Sequence, residues 1–202
     1  MRVVSKPVIV EYQTRWPEEF GDIRDRLASS FGDLATHIEH IGSTSVPGLA
    51  AKDVIDVQVS VTSLTPSEPL EAALQTAGFV PYRDESPAWD HVPPGWYAAD
   101  PPQRWLKLFA SAPPDQRRVH IHVRVAGSPN ERYALLFRDF MRTHADASGA
   151  WATFKRELAR IAESVDDYVE VKDPATDVVM VVAERWAADT GWTPHGDGSA
   201  AY

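Results

Sequence analysis

The most chemically suggestive stretch of this chain is a glycine followed by three hydroxyl residues, Gly42-Ser43-Thr44-Ser45. A tight turn of that composition exposes backbone N–H groups and adds side-chain donors. Leading into a short helix, it can hold a phosphate. Lys52 lies just beyond and could add a positive charge. Asp56 then interrupts a β-branched run, where a carboxylate must be desolvated, face solvent or bind something. A plainer reading, a cap, a turn and a polar strand face, accounts for the same residues, and spacing alone leaves both open.

Residues 118–125 form the second chemical element. As a strand they place Arg118, His120, His122 and Arg124 on one face and Val119, Ile121, Val123 and Val125 on the other. Two imidazoles at i, i+2 can reach one ion. On the functional reading this face borders the same cleft as Asp56, and His120, His122 and Asp56 are then a candidate catalytic and metal-binding set, better suited to Zn²⁺, Mn²⁺ or Fe²⁺ than to Mg²⁺. A solvent-facing polar strand is the competing reading. From residue 102 to 142 there are eight Arg or Lys and three acids, a local charge of +5 in a chain of net −9. That focus suits an anionic small ligand, and Lys107, inside an apolar strand, and Arg124 are candidate contacts. His40 sits beside the glycine turn, to orient it or to touch a ligand. Lys155 and Lys172 read as surface lysines of C-terminal helices that could also reach across to a phosphate.

These residues need elements to carry them. Trp16, Phe20, Ile23, Leu27 and Phe31 recur at helical spacing, with Pro17 in the first turn and Gly32 at the end. Residues 54–61 alternate as a strand, with Asp56, Gln58 and Ser60 opposite the aliphatic face. A helix follows from Pro66 to Gly78, then a short strand at 79–82. Five prolines and Gly95 make 84–102 a long loop with strand fragments. Strands are expected at 104–110 and 118–125, and Val8-Ile9-Val10 as a strand or extended lead-in. Helices are expected at 130–144, from about Gly149, and from Asp173-Pro174, where Asp would cap and Pro would open the first turn. The order indicates an α+β fold.

Composition narrows the function. A chain of 202 residues that is 44% hydrophobic and 24% charged suits one globular domain. Without cysteine there is no thiol catalysis, disulfide framework or Cys-ligated zinc. The acidic balance argues against general nucleic-acid binding. No apolar run approaches the roughly 18 residues of a membrane span. Residues 1–12 carry no secretory pattern, so a cytoplasmic location is expected.

The block from Glu39-His40-Ile41-Gly42-Ser43-Thr44-Ser45-Val46-Pro47-Gly48-Leu49 to Lys52, followed by Val54-Ile55-Asp56-Val57, resembles the signature of the GrpB family, in the nucleotidyltransferase superfamily. Trp16-Pro17-Glu18-Glu19-Phe20, His120-Ile121-His122-Val123 and Phe137-Arg138-Asp139-Phe140-Met141-Arg142 extend the resemblance over most of the chain. A similar domain is fused to dephospho-CoA kinase in some bacteria. The resemblance implies one nucleotidyltransferase-like domain over 1–189, a mixed sheet with helices on one face and a helical C-terminal part, and a loose tail over 190–202. It implies that Gly42 and Ser43 serve nucleotide phosphates and that Asp56 is the first carboxylate of a two-metal site. The second position is Gln58, a neutral and weaker ligand for a hard cation.

The expected function is binding, with a divalent metal (Mg, Mn or Zn), of a nucleoside triphosphate or other phosphorylated small molecule, with possible nucleotidyl transfer. Ligand contacts are expected from Gly42, Ser43, Thr44, Ser45, Lys52, Gln58, Lys107 and Arg124. The alternatives are a catalytically degenerate binding module and a metal-dependent phosphate-ester hydrolase. Mg²⁺ is expected to bind only together with nucleotide, and Zn²⁺ or Mn²⁺ alone through the histidines.

Overall fold

The computed structural model describes residues 6–82, 88–93 and 101–196. Five helices and a mixed sheet make up the described chain. The strands are β1 (Ala35–Ile41), β2 (Ile55–Val61), β3 (Val80–Pro81), β4 (Ala88–Trp89), β5 (Leu106–Ser111) and β6 (Val119–Val125). The sheet order is β1-β2-β6-β5-β3, with β4 also pairing β5. β2 and β6 run parallel, and the other pairs are antiparallel. The α+β expectation is met.

The first helix, α1 (Arg15–Phe31), buries Trp16, Ile23, Leu27 and Phe31, the expected stripe. With α2 (Glu68–Thr76) it covers the aliphatic face of the sheet, where Ile55, Val57, Val59, Ile121 and Val123 lie buried. Water removed from that surface, at about 25 cal/mol per Å² of apolar area, drives the pairing. A second core joins Val46, Leu49 and Ala50 to α3 (Pro129–Thr143), α4 (Ala145–Ile161) and α5 (Val165–Thr190). The sheet is thus covered by α1 and α2 on its aliphatic face, and its polar face looks toward the C-terminal helices.

Two anchors hold α3 against that polar face. Glu131, 1% exposed, accepts from the Gly127 N–H at 2.6 Å and from the Ser60 hydroxyl. Arg138 reaches Glu39 at 3.1 Å and the His40 carbonyl at 3.3 Å, tying helix to edge strand.

Three departures from the sequence reading have physical causes. β1 is unexpected because it is an edge strand whose polar Thr36, His37 and Glu39 blunt the period-2 signal. The last helix does not start at Asp173-Pro174. It begins at Val165, where Ser164 accepts from the Asp167 N–H at 3.0 Å, and carries Pro174 inside. Buried Tyr168, Met180 and Ala183 on both sides of the proline hold the two halves to the core, outweighing the lost backbone bond. Val8-Ile9-Val10 supplies only a bridge, Val10 to Ala51.

The expected loop at 84–102 lies largely outside the described residues, as does the tail beyond 196. Within them, Trp192 donates to Asp139 at 3.1 Å, and His195 stacks on His37 at 3.7 Å between rings. No helix among the described residues is long and apolar enough to cross a membrane.

Candidate functional site

The edge strand β1 delivers the chain into Gly42, whose φ of +70° and ψ of −172° belong to glycine territory. A Cβ there would sit 2.8 Å from Asp56 Oδ2. Glycine is therefore what lets this backbone lie against the carboxylate. Ser43–Ser45 then form one 3₁₀ turn.

The three hydroxyls divide their work. Thr44, 1% exposed, donates to the Val54 carbonyl at 3.1 Å and meets His40 Nε2 at 3.0 Å. Ser45 donates to the Gly42 carbonyl at 2.6 Å, and Arg142 holds the Ser45 carbonyl at 2.9 Å. Both hydroxyls donate within the turn and its flanking loop. His40 stacks on Phe20 at 4.8 Å, and burial pushes its pKa down to about 4. It is a neutral ring that orients the turn. Ser43 differs from its neighbours: its oxygen accepts from Lys155 Nζ at 2.9 Å at the edge of a cavity of about 410 Å³.

Parallel pairing sets Asp56 opposite His120 and Gln58 opposite His122, so all four share the face toward that cavity. His120 Nδ1 is 3.2 Å and His122 Nε2 3.7 Å from Asp56 Oδ1. Burial alone would raise the Asp56 pKa. Hydrogen bonds from both histidines outweigh it and keep the carboxylate ionised, well below its usual range. Burial, with Lys107 and Arg124 nearby, pushes His122 down to about 4, so its ring is neutral. Its Nε2 faces Asp56, while its buried Nδ1 has no partner.

Gln58 is fully buried and accepts from Arg124 at 2.6 Å, leaving its own amide nitrogen without a partner. Arg124 also binds Asp90, at 2.8 Å, and Lys107 binds Asp90 at 2.5 Å. Gln58, Lys107 and Arg124 thus meet in a buried network around Asp90, and Arg124 also lines the cavity. Those two cations hold Asp90 ionised against the burial that would raise its pKa. Asp90 lies in the stretch read as loop. The available signal was that two lone cations in apolar strands, Lys107 and Arg124, required a buried anion.

The donors expected to bind a metal come together, with His120 and His122 both facing Asp56 Oδ1. The Asp56 oxygen nearest the histidines already accepts from His120. No group of three or more His, Asp or Glu among the described residues is arranged to hold an ion.

Lysines also line the cavity. Lys155, expected on the surface, is 2% exposed and donates to Ser43 Oγ and, at 2.6 Å, to the Ala50 carbonyl. No carboxylate among the described residues contacts it. Burial, then Lys172, Arg156 and Lys52, push its pKa from 10.5 to about 7. Lys52 lies over the Tyr168 ring at 5.2 Å, its pKa lowered by burial against the pull of Asp56. Lys172 faces the same cavity and pairs with Asp173 at 2.6 Å. Aromatic walls come from Trp105, Tyr133, Phe137, Trp151 and Tyr168. The result is one chamber lined by a carboxylate–imidazole cluster, lysine amines, a serine hydroxyl and aromatic rings.

The chain belongs to the GrpB family, whose profile, described as GrpB protein, matches residues 6–181. It is 34% identical over 210 residues to a dephospho-CoA kinase of Mycolicibacterium paratuberculosis, covering 96% of this chain and 50% of that protein. UPF0157 protein SCO7215 of Streptomyces coelicolor is 32% identical, with 88% of this chain and 83% of that protein covered. UPF0157 protein YqkA of Bacillus subtilis is 29% identical, with 90% and 48% covered. The chain spans about half the length of the kinase and of YqkA. A crystal structure of conserved protein GrpB from Enterococcus faecalis shares the fold, with a TM-score of 0.67 at 24% identity over 89% of this chain and 99% of that one.

Proposed function

We propose that this GrpB-family chain binds a phosphorylated small molecule, a nucleotide first among them, with its phosphate seated between Ser43 and Lys155. The carrying observation is the buried Lys155 amine, which touches two neutral oxygens and, among the described residues, no carboxylate. A buried charge without a partner is costly, and an incoming phosphate supplies the partner. Lys52 and Lys172 add charge in the same cavity. The aromatic residues suit a base or another flat ring, since pockets for small molecules pair apolar walls with a few placed polar groups. The likeness to proteins named dephospho-CoA kinase favours a nucleotide-related ligand.

Within this reading Mg²⁺ arrives only with ligand oxygens and meets the protein through Asp56, because protein donors alone do not assemble a metal site. Gln58, bound to Arg124 in the place of a second carboxylate, favours the second reading: a binding module of the nucleotidyltransferase type that does not transfer nucleotides. Calorimetric titration of the folded chain with ATP, GTP, CTP and dephospho-CoA, with and without Mg²⁺, tests the proposal. Saturable binding that weakens several-fold in Ser43→Ala, with little change in melting temperature, supports it. No saturable heat from any phosphorylated compound, or binding indifferent to Ser43→Ala, sinks it.

A further inference from the structure

Lys155 stands among unlike neighbours. The turn presents a serine hydroxyl and the loop after it a main-chain carbonyl. The loop before β2 presents Lys52, α4 presents Arg156, and α5 presents Lys172, itself neutralised by Asp173, and the Tyr168 phenol. Every charge acting strongly on the amine is positive. Of the three carboxylates lining the cavity among the described residues, Asp56 faces two histidines, Asp90 is held by Lys107 and Arg124, and Asp173 by Lys172, so none is a partner of Lys155. A buried amine in that setting sheds its proton unless an anion stands beside it.

We propose that Lys155 is the charge-switching anchor of the cavity: a tetrahedral dianion entering at Ser43 brings the missing counter-ion, and Lys155 takes up a proton as it binds. This rests on the phosphate reading above and adds how the seat chooses its ligand. The proton balance is simple. Above about pH 7 the neutral amine of the empty state gains one proton from solvent and becomes an ammonium donating to the anion, to Ser43 Oγ and to the Ala50 carbonyl. Neutral alcohols and sugars cannot drive that uptake, so the seat discriminates by charge. Burial and the neighbouring cations put the switch near pH 7.

Sulfate is a suitable probe, because it has the shape and charge of a phosphate dianion and does not titrate between pH 6 and 9. Its dissociation constant is measured from pH 6 to 9 at fixed ionic strength for the intact chain and for Lys155→Arg, Lys155→Met and Lys52→Arg. The intact chain is expected to bind with constant affinity up to about pH 7 and then to weaken by about tenfold per pH unit, the slope for one proton taken up. Lys155→Arg, charged at every pH, should bind without that slope, and Lys52→Arg should keep it. Lys155→Met removes the amine without adding bulk, so any residual affinity should also lack the slope. Saturable sulfate binding that is flat from pH 6 to 9, or a slope that survives in Lys155→Arg or Lys155→Met, overturns the inference and leaves the phosphate reading intact. No saturable binding of sulfate or of any phosphorylated compound by folded protein overturns both.

Discussion

Replacing Lys155 by methionine should stabilise this protein at neutral pH. The unfolded chain keeps the lysine proton up to about pH 10.5, whereas the folded chain keeps it only to about 7. The group therefore opposes folding by its full amount below pH 7, on the order of 4 to 5 kcal/mol. That penalty shrinks as pH rises, by about 1.4 kcal/mol per pH unit, and is nearly gone by pH 10.5. Methionine has similar length and no charge. Its drawback is the Ala50 carbonyl, which loses its 2.6 Å donor in a buried position. An unsatisfied buried acceptor costs about 1 to 3 kcal/mol. The difference leaves the variant more stable by about 2 kcal/mol at pH 7. With an unfolding entropy of about 2.1 cal/mol/K per residue over this length, Tm should rise by about 5 °C. At pH 10 the lysine penalty has mostly vanished while the orphaned carbonyl remains, so the sign should reverse and the variant melt below the parent. Calorimetric melts at both pH values read this directly. A variant that is less stable by the same amount at pH 7 and pH 10 would refute the reasoning, because Lys155 would then be a charged and satisfied group.

Other substitutions probe the rest of the site. Gly42→Ala pushes a methyl toward Asp56 Oδ2 and forces a strained backbone, at a cost of about 1 to 3 kcal/mol, so Tm should fall by several degrees and anion affinity should drop with it. Asp56→Asn should abolish the nucleotide-dependent Mg²⁺ heat while leaving metal-free sulfate affinity within a few-fold, both read by titration calorimetry. Arg124→Met strips Gln58 and Asp90 of a shared buried partner and should cost about 3 to 5 kcal/mol in urea unfolding, as broken buried charge networks do.

Much of the fold was legible because its signals are local. The α1 stripe, the alternation of β2 and the histidine face of β6 are periodic patterns, and parallel pairing of β2 with β6 converts two of them into one cluster. What escaped was long-range. Lys155 read as a surface lysine able to reach a phosphate, and its burial was hidden because only the docking of α4 on the turn sets it against Ser43. The local bonds of Thr44 and Ser45 were hidden too, since nothing in the sequence says that the Val54 and Gly42 carbonyls would accept their protons. The pairing of Lys107 and Arg124 with Asp90 spans a proline-rich stretch, so no spacing rule links them. β1 was hidden because an edge strand with an exposed face need not alternate.

The central claim is that a phosphate sits between Ser43 and Lys155, and locating one is its most direct test. A crystal of the intact chain grown with a saturating non-hydrolysable nucleoside triphosphate would do this. A phosphate oxygen is expected within hydrogen-bond distance of both Ser43 Oγ and Lys155 Nζ, with the base against the aromatic wall near Trp105 and Tyr133. A nucleotide bound elsewhere on the surface, or Lys155 still bonded only to Ser43 and Ala50 at saturation, would contradict the account.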